Sequence, residues 1–575
     1  MKTIEIEADV LVIGGGLAGT WAALRAKEFV DKVVLVDKAR VSRSGATTSA
    51  AGVMLCPAEE DDLNLWMREI VERGEYMNDQ DWLRLMLEEQ IDRIQDLASW
   101  GLPVERDAEG KIARQVGRGH EHTRLLMFHG KKLMETMRKQ VLAMDVELLE
   151  RVMVTDLLTS DGQHPSRGSV VGAVGIHPRT GDYYLFKAKA IVLSTGSMYP
   201  RVGGFFVDNI TGDSPAIGFR AGAELIGMEF ALGGPLGLWD RRFYTVGYNM
   251  FVGHGAYFVN GQEERFMAKF NPVLKERVNW QGLVPSFCKE AVEGRGPTYA
   301  DMTHLPPETI ERFRRVIPHS MRVFDRSGID LTKQRVTLEP ILGLAAPSGE
   351  GGIKVNLYCE ANLPGLYAAG AASKMLAHGT YSVGGVNLAW CNVSGHRAGE
   401  YAARYAQAID GVEIKEEQAK ALQVQTTAPL GKKGGIKPDQ VFEDIRRLNA
   451  PVSVSVAKNK ERIMRVLSEI DQLKEKLSDL EAPDHHELVK AHEARNYVQC
   501  SELAHRAALE RTESRYYQFR EDYPERDDRD WLKWIVQWRE GDEIMSRLEP
   551  IPVYRYPIRP EKLDKKPAAI PIHIK

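Results

Sequence analysis

The strongest constraint on the fold is a glycine-rich turn near the N-terminus. Residues 8–12 favour a β-strand, the sequence Gly14-Gly15-Gly16-Leu17-Ala18-Gly19 follows, and residues 20–29 have the composition of a helix. A second apolar run, residues 32–36, then ends at Asp37. A strand, a glycine turn, a helix, a second strand and an acidic residue in this order form the unit that binds the ADP half of a dinucleotide.

The glycine turn and Asp37 have separate roles in such a unit. Glycines let the backbone approach a pyrophosphate, and the N-terminus of the helix offers free N–H groups and the positive end of its dipole. A carboxylate at Asp37 would accept hydrogen bonds from the ribose hydroxyls. The motif alone does not distinguish FAD from NAD, and both stay open at this point. The contacts predicted within the unit are Gly14, Gly16, Leu17, Ala18, Gly19, Asp37 and Lys38.

Length and charge limit what surrounds this unit. The chain has 575 residues, which at about 150 residues per domain suggests three to four domains. Lys and Arg total 76 against 80 for Asp and Glu. The chain therefore has no basic excess of the kind that nucleic-acid binding needs, and no nucleic-acid partner is expected.

The cysteines and the apolar runs exclude further classes of protein. Cys56, Cys288, Cys359, Cys391 and Cys500 show no spacing typical of a metal site. We therefore expect neither zinc nor an iron–sulfur cluster held by this chain alone. No signal peptide is recognisable, and no apolar run reaches the roughly 18 residues of a spanning helix. We expect a cytoplasmic protein without direct membrane insertion.

The segments after Asp37 resemble those of one flavoprotein superfamily, in the same order. Its members include L-aspartate oxidase and the flavoprotein subunits of succinate dehydrogenase, fumarate reductase and adenylylsulfate reductase, the last being the most similar in several short pieces. The resembling segments are 38–52 (KARVSRSGATTSAAG), 190–196 (AIVLSTG), 211–230 (TGDSPAIGFRAGAELIGMEF), 365–372 (GLYAAGAA), 378–399, and 511–531 (RTESRYYQFREDYPERDDRDW). The chain is identified as a member of this superfamily, and the resemblance implies FAD as its cofactor.

The resemblance also implies the domain organisation. The fold is expected to be α/β (α+β overall), with a Rossmann-like FAD-binding domain, an inserted capping domain and a C-terminal helical domain. The expected limits are 1–232 and 334–412 for the discontinuous FAD-binding domain, 233–333 for the capping domain, 413–545 for a linker (413–437) and the helical domain, and 546–575 for an extended proline-rich tail without a core of its own.

Flavin contacts outside the N-terminal unit follow from the same resemblance. They are Ser44, Gly45, Ala46, Val154, Thr195, Gly196, Asp213, Gly370, Asn387 and Leu388. Succinate dehydrogenases bond the flavin covalently to a histidine, and this chain has Gly45 at that position. The FAD is therefore expected to be bound non-covalently.

The chain departs from the superfamily where a dicarboxylate would bind. Fumarate reductases hold their substrate with two histidines and two arginines, and those positions fall here on Gly234, Trp280, Pro347 and Ser382. A C4-dicarboxylate site cannot be assembled without these cations. The chain is therefore expected not to be a true fumarate reductase or succinate dehydrogenase.

Candidate catalytic residues lie near the expected flavin edge and in the capping domain. His378 could protonate a substrate or stabilise the reduced flavin, because the pKa of histidine is ordinarily near neutrality. An arginine pair at the cap entrance could bind an anion. For each candidate, a structural role in packing or ion pairing stays open. The candidates are His378, Arg241, Arg242, His254, Tyr381, Arg265 and Trp280.

These features predict the FAD subunit of an oxidoreductase that exchanges two electrons with a small substrate, for which an anion is one option. FAD commonly joins a two-electron substrate to one-electron carriers. A ferredoxin-like iron–sulfur subunit, and hence a hetero-oligomer, is expected. The tail beyond residue 550 could wrap such a partner or pack along its own helical domain. Two alternatives stay open: adenylylsulfate reductase-type chemistry with AMP and sulfite, and a non-catalytic FAD electron-transfer module.

Overall fold

A seven-stranded β-sheet carries the glycine turn. The structure, a computed structural model, describes residues 2–50, 52–200, 209–245, 247–344, 350–516, 518–568 and 570–574. The sheet contains, in spatial order, Glu147–Glu150, Val33–Asp37, Thr3–Ile13, Tyr183–Leu193, Val170–Ile176 and Met153–Thr159, and Leu366–Ala368 also pairs with Tyr183–Leu193. Pairing is parallel from Glu147–Glu150 to Tyr183–Leu193 and antiparallel beyond it.

Strand β1 (Thr3–Ile13) lies inside the parallel half of the sheet. Val10, Leu11 and Val12 are all fully buried. Such a continuous apolar run is typical of a parallel strand that is covered on both faces. The predicted α/β class and Rossmann-like domain are confirmed.

Small residues allow two helices to pack closely beside this sheet. Helix α1 (Leu17–Lys27) follows the glycine turn and packs against the long helix Val386–Ala408. A Cβ on Gly395 would lie only 2.4 Å from the carbonyl oxygen of Ala18. The other elements of this domain are the helices Ala46–Ser49, Leu63–Arg73, Gln80–Ser99, Gly130–Ala143 and Asp213–Ala221 and the short strands Val53–Leu55, Arg114–Gln115, Leu125–Met127, Met198–Pro200, Asn209–Thr211, Leu225–Ile226, Leu232–Gly233, Gly343–Leu344 and Gly352–Ile353.

The capping domain is built on a five-stranded antiparallel sheet with its own apolar core. Its strands, in spatial order, are Phe243–Thr245, Leu236–Asp240, Val336–Pro340, Tyr299–Asp301 and Tyr257–Val259. Its helices are Tyr248–Gly253, Met267–Phe270, Trp280–Val292, Pro307–Val316 and Pro318–Arg326. The predicted cap end at residue 333 is wrong, because Val336–Pro340 pairs with Leu236–Asp240 inside the cap sheet.

The C-terminal helical domain contains Pro438–Asn449, Val452–Ser455, Lys460–Lys476 and His485–Glu510. The segment 413–437, predicted as a linker, contains the helix Glu416–Thr427. Leu422 of that helix is buried in an apolar cluster with strand residues such as Val171 and Val174. The polar and glycine-rich composition of the segment concealed this one buried face.

The proline-rich tail, predicted as extended and without a core of its own, is packed against the rest of the chain. Its predicted start at residue 546 falls inside the hairpin of Lys533–Glu540 and Glu543–Pro550. Farther on, Lys565–Pro567 pairs with Glu525–Asp527. Apolar side chains between the prolines join the core of the cap, namely Ile551, Tyr556, Ile570 and Ile572. Within the described ranges, no helix combines the length and the apolar composition needed to cross a membrane.

Candidate active site

A cavity opens where the glycine turn meets the carboxyl ends of the parallel strands. The space between its lining residues is about 930 Å³, part of which is open solvent. The predicted contacts that line it are Gly14, Gly16, Leu17, Ala18, Asp37, Lys38, Ser44, Gly45, Ala46, Val154, Thr195, Gly196 and Asp213. The fold therefore brings together residues from separate segments of the sequence.

The glycines of the turn divide into two roles. Gly14 has φ +111°, and a Cβ there would lie 2.5 Å from the carbonyl oxygen of Ser194, so only glycine fits. Gly16 lines the cavity, and a Cβ there would meet no protein atom within 4 Å. Gly19 does not line the cavity; a Cβ there would lie 1.8 Å from the oxygen of Gly14. Gly19 therefore serves the packing of helix α1, not direct contact with a ligand.

Asp37 is held at the cavity wall by backbone N–H groups. Its Oδ2 accepts a hydrogen bond of 2.7 Å from Gly15 N, and its Oδ1 accepts one of 2.7 Å from Ala39 N. Burial raises the pKa of Asp37, and the two N–H groups act against that rise. The carboxylate is thus fixed at the cavity in the position expected of a ribose acceptor.

Lys38 and Asp213 form an ion pair at the cavity wall. The Nζ of Lys38 lies 2.9 Å from Asp213 Oδ2 and 2.9 Å from Glu493 Oε1. Burial alone would lower the pKa of Lys38, but its attraction to the two carboxylates raises it. Since Glu493 belongs to the helix His485–Glu510, this cluster ties the cavity wall to the helical domain.

Besides Gly19, three predicted flavin contacts do not line this cavity. Gly370 instead donates from its N–H to Ser394 Oγ over 2.9 Å. Asn387 and Leu388 lie in the first turn of the helix Val386–Ala408. Lining residues that were not predicted as flavin contacts include Ala39, Thr47, Met153, Asn209, Ile210, Ala371 and Cys391. Ala39, Thr47, Ala371 and Cys391 lie within the segments that resemble the superfamily, whereas the other three lie outside them.

His378 lies beyond this cavity and is buried as a neutral imidazole. Its Nδ1 accepts a hydrogen bond from the backbone N–H of Ser382 over 2.8 Å and lies 2.8 Å from Ser382 Oγ. Burial, and after it the positive charge of Lys374, lowers the pKa of His378 to about 3, and Asn387 acts in the opposite direction. Because Nδ1 is an acceptor, the neutral ring carries its proton on Nε2.

A series of aromatic rings in mutual contact leads from His378 towards the cap. The ring centroid of Tyr381 lies 4.2 Å from that of His378 and 5.1 Å from that of Trp280, whose plane is inclined by 63° to it. Tyr516 lies 6.4 Å from Tyr381 with a ring only 9° from parallel, and Tyr248 lies 6.3 Å from Trp280. We call Tyr248, Trp280, Tyr381 and Tyr516 the aromatic chamber.

Tyr516 reaches the aromatic chamber from a strained backbone. Its φ is +60°, a left-handed conformation that bulky residues rarely adopt and that costs on the order of 1–3 kcal/mol. The resemblance has glycine at this position, as the third residue after Glu513. A hydrogen bond of 2.8 Å from the N–H of Tyr516 to Glu75 Oε2 holds the strained residue in place.

Arg118 is a further residue of the site that sequence reasoning missed. Its Cζ lies 5.5 Å from the ring centroid of Trp280, and the residue is almost completely buried, at 5% exposure. Arg118 lies in the segment 117–120, which contains no motif that would indicate a functional arginine. Only the fold brings it to the chamber.

Four predicted catalytic residues lie in structural positions instead. Arg241 and Arg242 are exposed at the turn of a cap hairpin, and Arg242 Nε binds Asp240 Oδ1 over 2.6 Å. Arg265 makes two hydrogen bonds of 2.7 Å to Glu276. His254 caps the helix Tyr248–Gly253, and its Nδ1 lies 2.9 Å from the oxygen of Met250. The interactions of these four residues lie within the cap. Their positions in the sequence had suggested a catalytic role that these interactions do not support.

The positions expected to hold a dicarboxylate carry no cation in the described chain. Gly234 offers no side chain, Ser382 is engaged with His378, and Trp280 belongs to the aromatic chamber. Pro347 lies outside the described residues. At the described positions, the chain therefore has a glycine, a tryptophan and a serine where the resemblance places charged groups.

Comparisons with known proteins extend over nearly the whole chain. Residues 9–388 match the family described as FAD binding domain, and residues 451–565 match the one described as fumarate reductase flavoprotein C-term. The chain is 28% identical over 574 residues to a fumarate reductase (CoM/CoB) subunit of Methanothermobacter marburgensis, covering 96% of this chain and 99% of that one.

Two solved structures show the same fold. A chain of E. coli quinol fumarate reductase superposes with a TM-score of 0.86 at 23% identity, covering 97% of this chain and 99% of that chain. Adenylylsulfate reductase of Archaeoglobus fulgidus superposes with a TM-score of 0.80 at 22% identity, covering 96% of each chain. At these identities the superpositions establish the fold alone.

The cavity fits the cofactor that the first family match indicates. The glycine turn leaves room for a pyrophosphate at the start of helix α1, since a Cβ on Gly16 would stand in open space. Asp37 lines the same cavity, and a carboxylate there could accept hydrogen bonds from a ribose. FAD is the cofactor of this chain.

Proposed function

Because this chain belongs to the succinate dehydrogenase and fumarate reductase flavoprotein family, we propose that it is the flavoprotein subunit of an oxidoreductase whose substrate is not a C4-dicarboxylate. The observation that carries this proposal is the aromatic chamber beside His378. FAD, when bound, supplies two-electron exchange with a substrate and one-electron exchange with a carrier.

The chamber favours a small substrate with a planar or apolar body. Two carboxylates buried together need two or more cationic partners, because an unpaired buried charge is strongly destabilised. Gly234, Trp280 and Ser382 supply none at the corresponding positions. Aromatic faces at Trp280 and Tyr381 instead stabilise planar groups by stacking and exclusion of water.

His378 is the proposed hydrogen-bond donor of the site. Its Nδ1 is occupied by the N–H of Ser382, so Nε2–H is the proton that it can present. A neutral imidazole held in one tautomer donates a hydrogen bond without bringing a charge into a dry site. Ser382, at the position where the family would place a substrate-binding arginine, therefore positions His378.

An iron–sulfur protein is the proposed electron partner. Within the described ranges there is no cluster of His, Cys, Asp and Glu that could hold a metal, and the five cysteines form no disulfide and stand apart. The relative from M. marburgensis is named as one subunit of its enzyme, which fits a flavoprotein that works within a complex. The packed tail is not part of this proposal.

Two experiments test the proposed function. Purification from the native source should yield an iron–sulfur protein with the flavoprotein; a lone flavoprotein that is fully active with a nicotinamide would contradict the partner. The FAD-loaded protein should not oxidise succinate with an artificial dye. A turnover above about 1 s⁻¹, within the ordinary range of enzymes, would contradict the substrate class.

A further inference from the structure

Arg118 is a buried arginine without a carboxylate partner among the described residues. Its Nε donates a hydrogen bond of 2.7 Å to Asn249 Oδ1, and its Nη1 donates one to the carbonyl oxygen of Val278. Both acceptors are neutral. Its Nη2 makes no hydrogen bond with any described residue, so a charged group with unused donors remains inside the protein.

A lone guanidinium is costly to bury. Arginine is almost never fully buried without a paired anion, because the loss of hydration must be offset by an opposite charge. Burial lowers the pKa of Arg118, with only tyrosines acting to raise it, and Arg73 adds repulsion. The surroundings therefore leave the positive charge of Arg118 uncompensated.

The position of Arg118 joins the two halves of the site. Asn249 and Val278 belong to the cap, whereas Arg118 precedes the strand Leu125–Met127 of the flavin domain. The guanidinium stands over Trp280, whose Nε1 is buried and makes no hydrogen bond with the described part of the chain. The hydroxyl of Tyr248 is likewise buried without a hydrogen bond of normal geometry. Trp280 Nε1 and the hydroxyl of Tyr248 are thus two further donors without an acceptor among the described residues, close to the cation of Arg118.

We propose that Arg118 binds the single anionic group of the substrate, and that this substrate is a planar organic monoanion. The proposal deepens the proposed function and rests on it. One oxyanion at Arg118 supplies the missing opposite charge and the acceptors for the free donors, in the short charge-assisted bonds that arginine forms with carboxylates. The uncharged body of the substrate then lies among the rings of the aromatic chamber.

A second anionic group finds no cation among the four rings of the aromatic chamber. It would lie among Tyr248, Trp280 and Tyr381, none of which carries a charge at neutral pH. Selectivity for one charge over two therefore follows from the chamber itself. Arg118 could instead serve only to hold the two domains together. That structural role would need only its hydrogen bonds to Asn249 and Val278, and it would predict no selectivity of the protein for anions.

The test uses three ligands with the same four-carbon planar skeleton. Crotonate is a monoanion, crotonamide is its neutral counterpart and fumarate is the dianion. Each is titrated into the oxidised, FAD-loaded full chain, and binding is followed by the perturbation of the flavin absorption spectrum. The wild type should bind crotonate more tightly than either of the other two.

The variants assign that preference to one residue. Arg118→Met should weaken crotonate by about 30-fold or more and leave crotonamide unchanged, because a charge-assisted hydrogen bond in a buried site is lost. Arg118→Lys keeps the charge and should retain part of the affinity, even if the methionine variant fails to load FAD. Arg241→Met, at an exposed arginine, is the matched control and should bind like the wild type.

Different results overturn different claims. Fumarate bound more tightly than crotonate by the wild type contradicts the proposed function. A preference for crotonate that survives unchanged in Arg118→Met contradicts only the assignment of Arg118. A wild type that binds crotonamide as well as crotonate, or none of the three, overturns the proposal of an anion site.

Discussion

Two glycines of the same turn should fail for different reasons when each is replaced by alanine. At Gly19 the new Cβ would lie 1.8 Å from the carbonyl oxygen of Gly14 and 2.6 Å from Ser194 Oγ. At Gly16 it would meet no protein atom within 4 Å, and the φ of −77° suits alanine. Gly16 lines the FAD cavity, however, and Gly19 does not.

The magnitudes follow from these contacts. An ordinary carbon–oxygen contact is roughly 3.4 Å, so Gly19→Ala forces helix α1 to move, and we expect it to destabilise the apo-protein by about 3 kcal/mol or more. Gly16→Ala should leave the stability of the apo-protein unchanged. Its Cβ takes space needed by the pyrophosphate, and we expect FAD to bind about 5- to 150-fold more weakly, the equivalent of about 1–3 kcal/mol of overpacking.

Two measurements separate these effects. Urea unfolding of the apo-protein, followed by far-UV circular dichroism, measures the stability, and the quenching of FAD fluorescence measures cofactor affinity. Equal destabilisation of the apo-protein by Gly16→Ala and Gly19→Ala would contradict the division of roles. So would a Gly19→Ala variant whose urea midpoint is unchanged and whose FAD affinity alone is reduced.

Three further predictions concern the flavin linkage, a buried ion pair and pH. Gly45 offers no side chain to bond the flavin, so acid precipitation should release all flavin, and fluorescence left on the polypeptide would contradict this. Glu229 and Arg511 are fully buried and joined by hydrogen bonds of 3.0 and 2.8 Å. Glu229→Gln should therefore lower the free energy of unfolding, measured in urea, by about 3 kcal/mol. Glu416→Gln, in the exposed ion pair with Lys420, should leave the free energy of unfolding unchanged. The pKa of His378 is about 3 in the folded protein and near 6.5 in the unfolded chain. Between these two pH values only the unfolded chain binds a proton at this residue. The stability of the folded protein therefore falls as the pH drops below about 6.5. His378→Gln should lose less stability between pH 7 and pH 5 than the wild type, and an equal loss would count against the neutral, buried imidazole.

The cofactor domain could be predicted from the sequence because its determinants are local. The glycine turn and Asp37 lie within one strand–helix–strand unit, and each residue type there answers a geometric demand of the dinucleotide. The structure changes the role of Gly19 from ligand contact to helix packing. It does not change the place of the cavity.

The proposed substrate side could be predicted only in part. The sequence singled out Trp280 and Tyr381, but Arg118 and Tyr516 come from distant segments, and no local pattern links them to the other two. Arg241 attracted attention as a charged residue in a divergent segment, but it lies on an exposed hairpin turn. Neither the net charge of the chain nor the spacing of its residues shows which arginine becomes buried without a carboxylate partner when the chain folds.

The packing of the tail into the cap-side core could not be predicted from the sequence, for a physical reason. Prolines remove hydrogen-bond donors and interrupt a strand ladder, and a segment rich in them was therefore expected to lack a core. Packing does not need a ladder. Ile551, Tyr556 and Ile572 lie between prolines or next to them and fill the cap-side core as single side chains.

Whether the reduced protein gives its electrons to fumarate decides the proposed substrate class most directly. The FAD-loaded chain is reduced anaerobically with a stoichiometric amount of dithionite, mixed with excess fumarate, and followed by flavin absorption in a stopped-flow instrument. With an aromatic chamber in place of the cations, we predict that the flavin stays reduced. Reoxidation by fumarate faster than about 1 s⁻¹ would contradict this prediction and would show that other residues rebuild a dicarboxylate site.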